Sequence, residues 1–353
     1  MQYIEDSFGL IRNLQVARFI LKLRALERIA LPEYKGSTFR GVLGWRLKKV
    51  VCVNREAEDC PECLLSSKCL YNYLFSPQLP ANTQFLQHTS RIPAPILIEP
   101  PLTKQRTFEP GDVMEAGLTL IGKGLEYLPY LIYVFTEIGK YGIGAEIHPR
   151  GDKRYAGRFE LVSVRDDIGG GVIYAGEDKA LHDSCRTFGW QEAIEQAGEY
   201  HGKFSLEFIT PVRLKEAKGQ TSQLADLASF GQLIANLYWR LLTLAYFHCN
   251  PWSLDDNRFA GLPEEASQMR KKLTEQAAEI TLTANHTHWQ DYDRWSNRQQ
   301  TKMTMGGFMG RATFSGNLTP YLPLLRLGEY AHLGKQTTFG LGKYKLIKPA
   351  EIA

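Results

Sequence analysis

The sequence predicts an α+β protein built from two tandem copies of one small unit, and three observations carry that reading. At 353 residues the chain is long enough for two domains, each with its own core. Segments with strand alternation and segments with helical spacing follow one another through both halves. An apolar helical stretch followed by glycines, a lysine, an aromatic residue and a strand also occurs twice. The first occurrence is Gly139-Lys140-Tyr141-Gly142-Ile143-Gly144 ahead of a strand at 158–164, and the second spans 334–346. Such self-similarity is the trace an internal duplication leaves. Exposed connections at Gly169-Gly170-Gly171 and at 197–202 place the boundary near residue 200, giving domains 1–200 and 201–353.

Composition narrows the class. A chain 44% hydrophobic and 23% charged is ordinary for a globular protein, and no run approaches the roughly 18 apolar residues of a membrane-spanning helix. The start, Met1-Gln2-Tyr3-Ile4-Glu5-Asp6, has no basic region leading into an apolar one, so the expectation is a cytoplasmic protein without a secretory signal. A net charge of +4 argues against a general DNA-coating protein. The charge is unevenly placed, however. From 298 to 348 there are eight Lys or Arg against Glu329 alone, a local +7 that leaves −3 for the rest.

Taken in order, residues 14–23 read as the first strand, and Pro32 and Gly36 punctuate a loop. Residues 37–51 follow as a helix, with Ser37 as N-cap and Phe39, Val42, Leu43, Leu47 and Val50 on one face. Arg40, Arg46 and Lys48 then form either a solvated face or a second RNA-facing basic surface. Cys52, Cys60, Cys63 and Cys69 come next, spaced by seven, two and five residues. The Cys-Pro-Glu-Cys turn brings two thiolates to one point and two flanking cysteines could complete a tetrahedral shell. A structural zinc, an iron–sulfur cluster and unliganded thiols all fit this pattern, whereas a closed four-thiolate shell leaves no open position for catalysis. Cys185 and Cys249 are isolated and read as buried.

Seven prolines between 77 and 110 suit an extended connection with an edge strand at 96–98. Residues 112–121 alternate as a strand, and 124–139 suit an apolar helix with Pro129 in its first turn. In the second half, 203–214 reads as a strand, 223–247 as the main helix, and 264–280 as a more charged, exposed helix. Residues 286–298 are dense in His, Trp, Tyr and Arg, groups that stack on unpaired bases or clamp phosphate, although Trp289 and Trp295 equally suit a core. Gly306-Gly307 reads as a turn into another strand bearing an accessible Arg311. The segment 329–346 is a glycine-rich loop carrying His332, Lys335 and Lys343. Its glycines let a phosphate approach backbone N–H groups, and its lysines make it an anion site.

Together these residues resemble the Cas6 family of CRISPR precursor-RNA processing endoribonucleases, within the RAMP superfamily, in the branch that carries a cysteine cluster. The resemblance rests on Phe39-Arg40-Gly41 through the four cysteines and Tyr71, on Thr210-Pro211-Val212-Arg213-Leu214 and on the 230–244 helix. It continues through Trp289 to Ser296-Asn297-Arg298, Gly306-Gly307, and His332-Leu333-Gly334-Lys335 through Phe339-Gly340-Leu341-Gly342-Lys343-Tyr344. It implies tandem ferredoxin-like (RRM-related) βαββαβ domains, the first with a four-Cys insertion at 52–69, and a glycine-rich loop of the second that contacts RNA. The implied partners are CRISPR repeat RNA and other Cas proteins, with no membrane. The implied reaction is metal-free cleavage by 2′-OH attack, leaving a 2′,3′-cyclic phosphate and a 5′-hydroxyl, with no cofactor for catalysis and at most a structural zinc on the cysteines.

That chemistry requires a base, an acid for the departing 5′-oxygen and cations for the phosphorane. Several branches place a catalytic histidine at the start of the first helix. This chain has none there, only Tyr34, Lys35 and Arg40. His332 is therefore the expected general acid or base or, alternatively, a structural residue of the loop, with Lys335 beside it on the phosphate and His286 and His288 in reserve. Lys343, Gly334, Gly340, Gly342, Arg298, Arg311 and Arg40 are the expected RNA contacts. A non-catalytic RAMP subunit that holds RNA as a scaffold of an effector complex is the alternative function.

Overall fold

The βαββαβ order expected of each half is present twice in the computed structural model. It describes residues 3–54, 60, 62–80, 83, 85–86, 92–147, 154–182, 185–198, 200–214, 229–250, 261–296 and 301–347. The first half runs α1 (Tyr3–Arg12), β1 (Gln15–Ala25), β2 (Ile29–Ala30), α2 (Gly36–Val51), α3 (Leu70–Phe75), β3 (Ile96–Glu99), β4 (Thr107–Phe108), β5 (Val113–Ile121), α4 (Leu128–Tyr141), β6 (Ile143–Ile147), β7 (Arg154–Gly157) and β8 (Phe159–Asp166). Then come β9 (Val172–Ala175), β10 (Ala180–Leu181), β11 (Phe188–Gly189), α5 (Trp190–Ala197), β12 (His201–Val212), α6 (Phe230–His248), α7 (Leu262–Gln276), β13 (Thr281–Ser296), β14 (Thr301–Asn317), α8 (Leu322–Ala331) and β15 (Tyr344–Ile347).

In the first unit the antiparallel order is β8-β1-β5-β3, extended beyond β8 by β9 and β10. In the second it is β13-β14-β12-β15. Numbered within each βαββαβ repeat, the two sheets share the order 4-1-3-2, so each is a ferredoxin-like unit. Alternation along β1 explains the first. Phe19, Leu21, Leu23 and Ala25 are buried while Lys22 and Arg24 are exposed, so one face meets α2 and α4. From the helices Phe39, Leu43, Leu47, Leu131, Phe135 and Ile138 fill that core. On the other face Arg18 is clasped by Glu99 at 2.8 Å and by Asp167. These acceptors outweigh its burial and hold its pKa raised.

The compact units are not a simple halving at residue 200. One comprises 16–78 and 94–187, the other 1–15, 79–93 and 188–353. Phe8 of α1 packs on Trp190 and Tyr238, and Phe85 packs on Trp239, Tyr246 and Phe247, so two early segments complete the later core. Linear sequence cannot show such a return.

Several local expectations change. α2 begins at Gly36 with Lys35, not Ser37, at its N-cap; the buried Lys35 ammonium donates to the carbonyls of Glu33 and Thr103 instead. The apolar helix starts with a 3-10 turn at Gly122–Tyr127 and continues as α4 through Gly139 to Tyr141. α6 begins at Phe230, capped by Ser229, and the expected helical residues 223–228 lie outside the described residues. The charged helix α7 buries Leu262, Ala266, Met269 and Leu273, so it is only half exposed. Gly306 and Gly307 lie inside β14 rather than in a turn. A Cβ at Gly307 would sit 2.4 Å from the Val212 carbonyl oxygen, beside the β12 bulge, so the glycine serves close packing of strands.

Gly139 shows the same logic in a helix. A Cβ there would lie 2.3 Å from the Phe159 backbone oxygen, and backbone cannot yield as a side chain can. Gly139→Ala is expected to lower stability by about 2–3 kcal/mol, read as a lower urea midpoint at unchanged slope.

His248 makes stability depend on pH. It is buried at the end of α6, and its Nε2 lies 2.7 Å from the Pro93 carbonyl oxygen, to which the neutral ring donates. Burial holds its pKa down at about 4; the Arg240 charge adds to this and the Pro93 carbonyl opposes it. The unfolded chain takes up this proton near pH 6.5 and the folded chain only near 4. Stability present above pH 6.5 is therefore lost as the pH falls through that window, by about 3 kcal/mol. His248→Asn should flatten the profile of unfolding free energy between pH 6.5 and 4; an unchanged slope would assign the acid sensitivity to other groups.

Candidate nucleic-acid interface

The glycine-rich loop begins where α8 ends. The chain leaves that helix through His332 at φ +60 and ψ 167, a region residues with side chains rarely occupy. The topologically equivalent exit from α4 is Gly142, at φ +93 and ψ 164. Both close their helices alike: Gly142 N–H donates to Ile138 O at 2.7 Å and His332 N–H to Gly328 O at 2.8 Å. A histidine thus stands where the first unit uses glycine, at a backbone cost on the order of 1–3 kcal/mol. Its side chain supplies the compensation. The ring is fully buried, with Nδ1 3.0 Å from the Leu341 carbonyl oxygen on the far side of the loop. From α6 the Arg240 Nε donates to Ala331 O at 2.8 Å and His332 O at 3.0 Å. Burial lowers the Arg240 pKa to about 10, which leaves it cationic at neutral pH and suited to the negative end of α8.

The body of the loop is strapped to the end of β12. Leu333 N–H donates to Gly342 O, Gly342 N–H to Pro211 O, and Lys335 N–H to Arg213 O, at 2.8–3.0 Å. Thr210 works both ways, its hydroxyl donating to Gly340 O and accepting from Lys343 N–H, both at 2.9 Å. Gly342 has φ +79, and a Cβ there would lie 2.0 Å from the Leu333 oxygen. Gly334 has φ +85 and faces the Arg213 oxygen at 2.5 Å from the same construction. These glycines exist for backbone-to-backbone contact within the protein. The N–H groups of Leu333, Lys335, Gly342 and Lys343 are already bonded within the protein. The side chains of Lys335 and Lys343 are half-exposed.

Beside the loop, one cross-strand row runs over the whole second sheet. His286 of β13 opposes Arg311 of β14, Arg311 opposes Glu207 of β12, and Glu207 opposes Lys345 of β15. Directly opposed residues share a face. The neighbours Phe208, Ala312 and Phe314 are buried, so this row lies on the face away from the core. His286, His288, Lys203 and Lys345 are exposed, and Arg311 sits 3.6 Å from Glu207 with both side chains 42% accessible. Such an exposed pair is weak and opens readily for a ligand.

The other expected residues distribute as follows. Arg40 lies in the first unit, its guanidinium donating to Phe75 O at 3.2 Å and lying over the Phe75 ring, so it braces α2 against α3. Arg298 is outside the described residues. Trp289 is half-buried and donates to Asp291. Glu329, the one acid of the basic stretch, is half-buried with Arg326 at 3.0 Å and accepts from Leu346 N–H. Burial raises its pKa and Arg326 opposes that rise. Of the eight counted cations Arg326 is thus structural, and Arg298, Lys348 and the Lys302 side chain lie outside what is described.

The cysteines do not form the expected metal shell. Cys52, Cys63 and Cys69 line one pocket while Cys60 sits beside Lys48, and the Cys52 thiol donates to Asn54 O at 3.2 Å. Among the described residues no three metal-ligating side chains are gathered closely enough to hold an ion. The arrangement does not fit a structural zinc.

Comparison with known proteins finds a family likeness in the second unit. Residues 206–344, the second ferredoxin-like unit with its loop, match the family model of the CRISPR-associated endoribonuclease Cas6. That likeness covers less than half of the chain. Residues 14–185 match a second family model, described as an N-terminal domain. An uncharacterized protein of Archaeoglobus fulgidus is 28% identical over 203 residues, 58% of this chain and 63% of its own length. This chain therefore spans less than two thirds of that relative. Among solved structures, a Cas6 product complex aligns at TM-score 0.52 and 16% identity over 94% of this chain and 99% of the other. A Thermus thermophilus Cas6 aligns at 0.50 and 15% over 95% and 99%. A Cas6-RT-Cas1–Cas2 complex aligns at 0.55 and 14% over 96% of this chain and 49% of its own. At these identities the structures speak for the fold alone.

The tether is testable without RNA. His332→Gly keeps the φ +60 exit strain-free but removes the imidazole. Hydrogen exchange at the Gly342 and Lys343 amides should accelerate by about tenfold or more, with α8 amides unaffected. Unchanged protection at those two amides would show the imidazole to be idle.

Proposed function

We propose that the protein is a metal-independent endoribonuclease that cleaves CRISPR repeat RNA in precursor transcripts. The observation that supports this best is the coincidence of the Cas6 match at 206–344 with the unit bearing the tethered loop and the outward row of Arg311, Glu207 and Lys345. RNA lies along that face, with Lys343 and Lys335 on phosphate at the loop and Arg311 released from Glu207 to a second phosphate. The 2′-OH attacks the adjacent phosphorus in line, the 5′-oxygen leaves with a proton, and the lysines stabilise the charge that builds on the phosphorane. Products are a 2′,3′-cyclic phosphate and a 5′-hydroxyl.

His332, first expected as the acid or base, is assigned another task. Its full burial and its contact with Leu341 O support a structural task, and we assign it to holding Lys335 and Lys343 in place. Proton transfer then falls to exposed groups of the same face, of which His286 and His288 are the imidazoles. Solved structures of similar fold are described as a Cas6 product complex and a partial Cas6-RT-Cas1–Cas2 complex, which supports repeat RNA and other Cas proteins as partners.

The decisive assay incubates the purified chain with repeat RNA of the adjacent array in EDTA. A single cut with a cyclic-phosphate end is expected. Binding without any cut would make the protein an RNA scaffold instead. Lys343→Ala should weaken binding to all sequences and reduce the slope of log affinity against log salt by about 1. His332→Ala should weaken binding and cleavage together; loss of cleavage with affinity intact would return the proton transfer to His332.

A further inference from the structure

An arginine at the foot of the glycine-rich loop has no partner in its own fold. Arg213 follows the last residue of β12, and its backbone is packed against the loop. Its carbonyl oxygen accepts from Lys335 N–H at 2.9 Å, and a Cβ on Gly334 would lie 2.5 Å from that same oxygen. The side chain is half-buried, with Nε enclosed by protein yet donating to nothing. Among the described residues its guanidinium meets no carboxylate, carbonyl oxygen or aromatic ring. By contrast Arg240 holds the Ala331 and His332 carbonyls, Arg326 pairs with Glu329, and Arg311 pairs with Glu207.

A guanidinium half withdrawn from water without an acceptor is a cost that folding alone does not explain. Enclosed polar atoms almost always find a partner, and an exception calls for a reason outside the fold. The placement supplies one. With its backbone pinned and its stem half-buried, the head of Arg213 is confined before any ligand arrives, so less freedom is lost on binding. Its planar fork of N–H donors matches the paired non-bridging oxygens of a phosphodiester. A carboxylate offers a similar pair, but the neighbours argue for a polyanion. The same strand end fixes the backbones of both loop lysines, Lys335 through Arg213 O and Lys343 through the Thr210 hydroxyl. Three cations set on one rigid junction suit successive phosphates of a strand, where a single acid would satisfy only one of them.

We infer that Arg213 is a third phosphate ligand of the loop, its guanidinium fork taking the non-bridging oxygens of one RNA phosphodiester beside those held by Lys335 and Lys343. The assignment rests on the RNA-binding reading of this face but not on cleavage, because a chain that only held RNA would need the same contact. Arg213 lies outside the basic stretch 298–348, so a count of charge along the sequence passes it by.

The test uses the full chain and repeat RNA of the adjacent array made with 2′-fluoro groups, which lack the attacking hydroxyl. Arg213→Gln should weaken binding by about tenfold and lower the slope of log affinity against log salt by about 0.7–1. Arg213→Lys should restore the slope but only part of the affinity, because it keeps the charge and loses the fork. A series of RNAs, each carrying one neutral methylphosphonate, then locates the contact. At one position the substitution should weaken the parent by about tenfold and Arg213→Gln by no more than about twofold. Hydrogen-exchange protection of the Lys335 amide should be equal in all three proteins, which separates a lost ligand contact from a distorted loop. Three results would overturn the assignment and leave the RNA reading in place: unchanged affinity and slope in Arg213→Gln, methylphosphonate losses equal in parent and variant at every position, or loss of Lys335 protection, which would make the arginine a strut. A parent chain with no affinity for the RNA would overturn both.

Discussion

The second unit depends on one tether, the contact of the buried His332 ring with Leu341 O while Arg240 grips the His332 and Ala331 carbonyls. It fixes the two ends of a loop whose middle makes no helix or strand of useful length. Through Gly342 and Thr210 the same loop is fastened to β12, which is also the strand that presents Glu207 to the outward face. Loop lysines and sheet cations are therefore held by one rigid connection. A surface loop with this many internal bonds is poorly suited to move and well suited to position.

Much of this was legible in the sequence, for identifiable reasons. Alternation in β1 and helical spacing in α2 and α4 are imposed by a one-sided core, and they survive as periodicity. The duplication was visible because both units need glycine near the exit of their second helix. The alignment it suggested was nevertheless shifted. Gly139 is helical and packs on Phe159, and the residue matching His332 is Gly142, a glycine matching a histidine. Residue identity hides that match; only the shared backbone angles show it. The return of α1 and residues 79–93 to the later core was likewise invisible, because tertiary packing between distant segments leaves no local period.

The basic stretch illustrates how composition overstates a site. Its count of eight cations treats each as available. In the fold Arg326 neutralises a half-buried Glu329 whose other oxygen accepts from Leu346 N–H, and this pair joins α8 to β15. The acid that appeared to be the lone exception is thus a strut. Arg311 is held by Glu207, which the linear count placed in another region altogether. What remains for an anion is a narrower set at the loop and on one row of the sheet, and narrowness favours register over bulk attraction.

A cleavage that uses the substrate's own 2′-OH asks less of a protein than hydrolysis by water does. The nucleophile is already attached, and the main barrier is to bring it in line with the leaving oxygen while charge builds between them. Fixed cations and a rigid frame address that barrier directly. A histidine strained into a glycine's backbone position and sealed from solvent makes sense in this light. On the proposed reading its task is to hold the loop that carries Lys343, and a freely accessible ring at that place would have to give up the bond to Leu341 O.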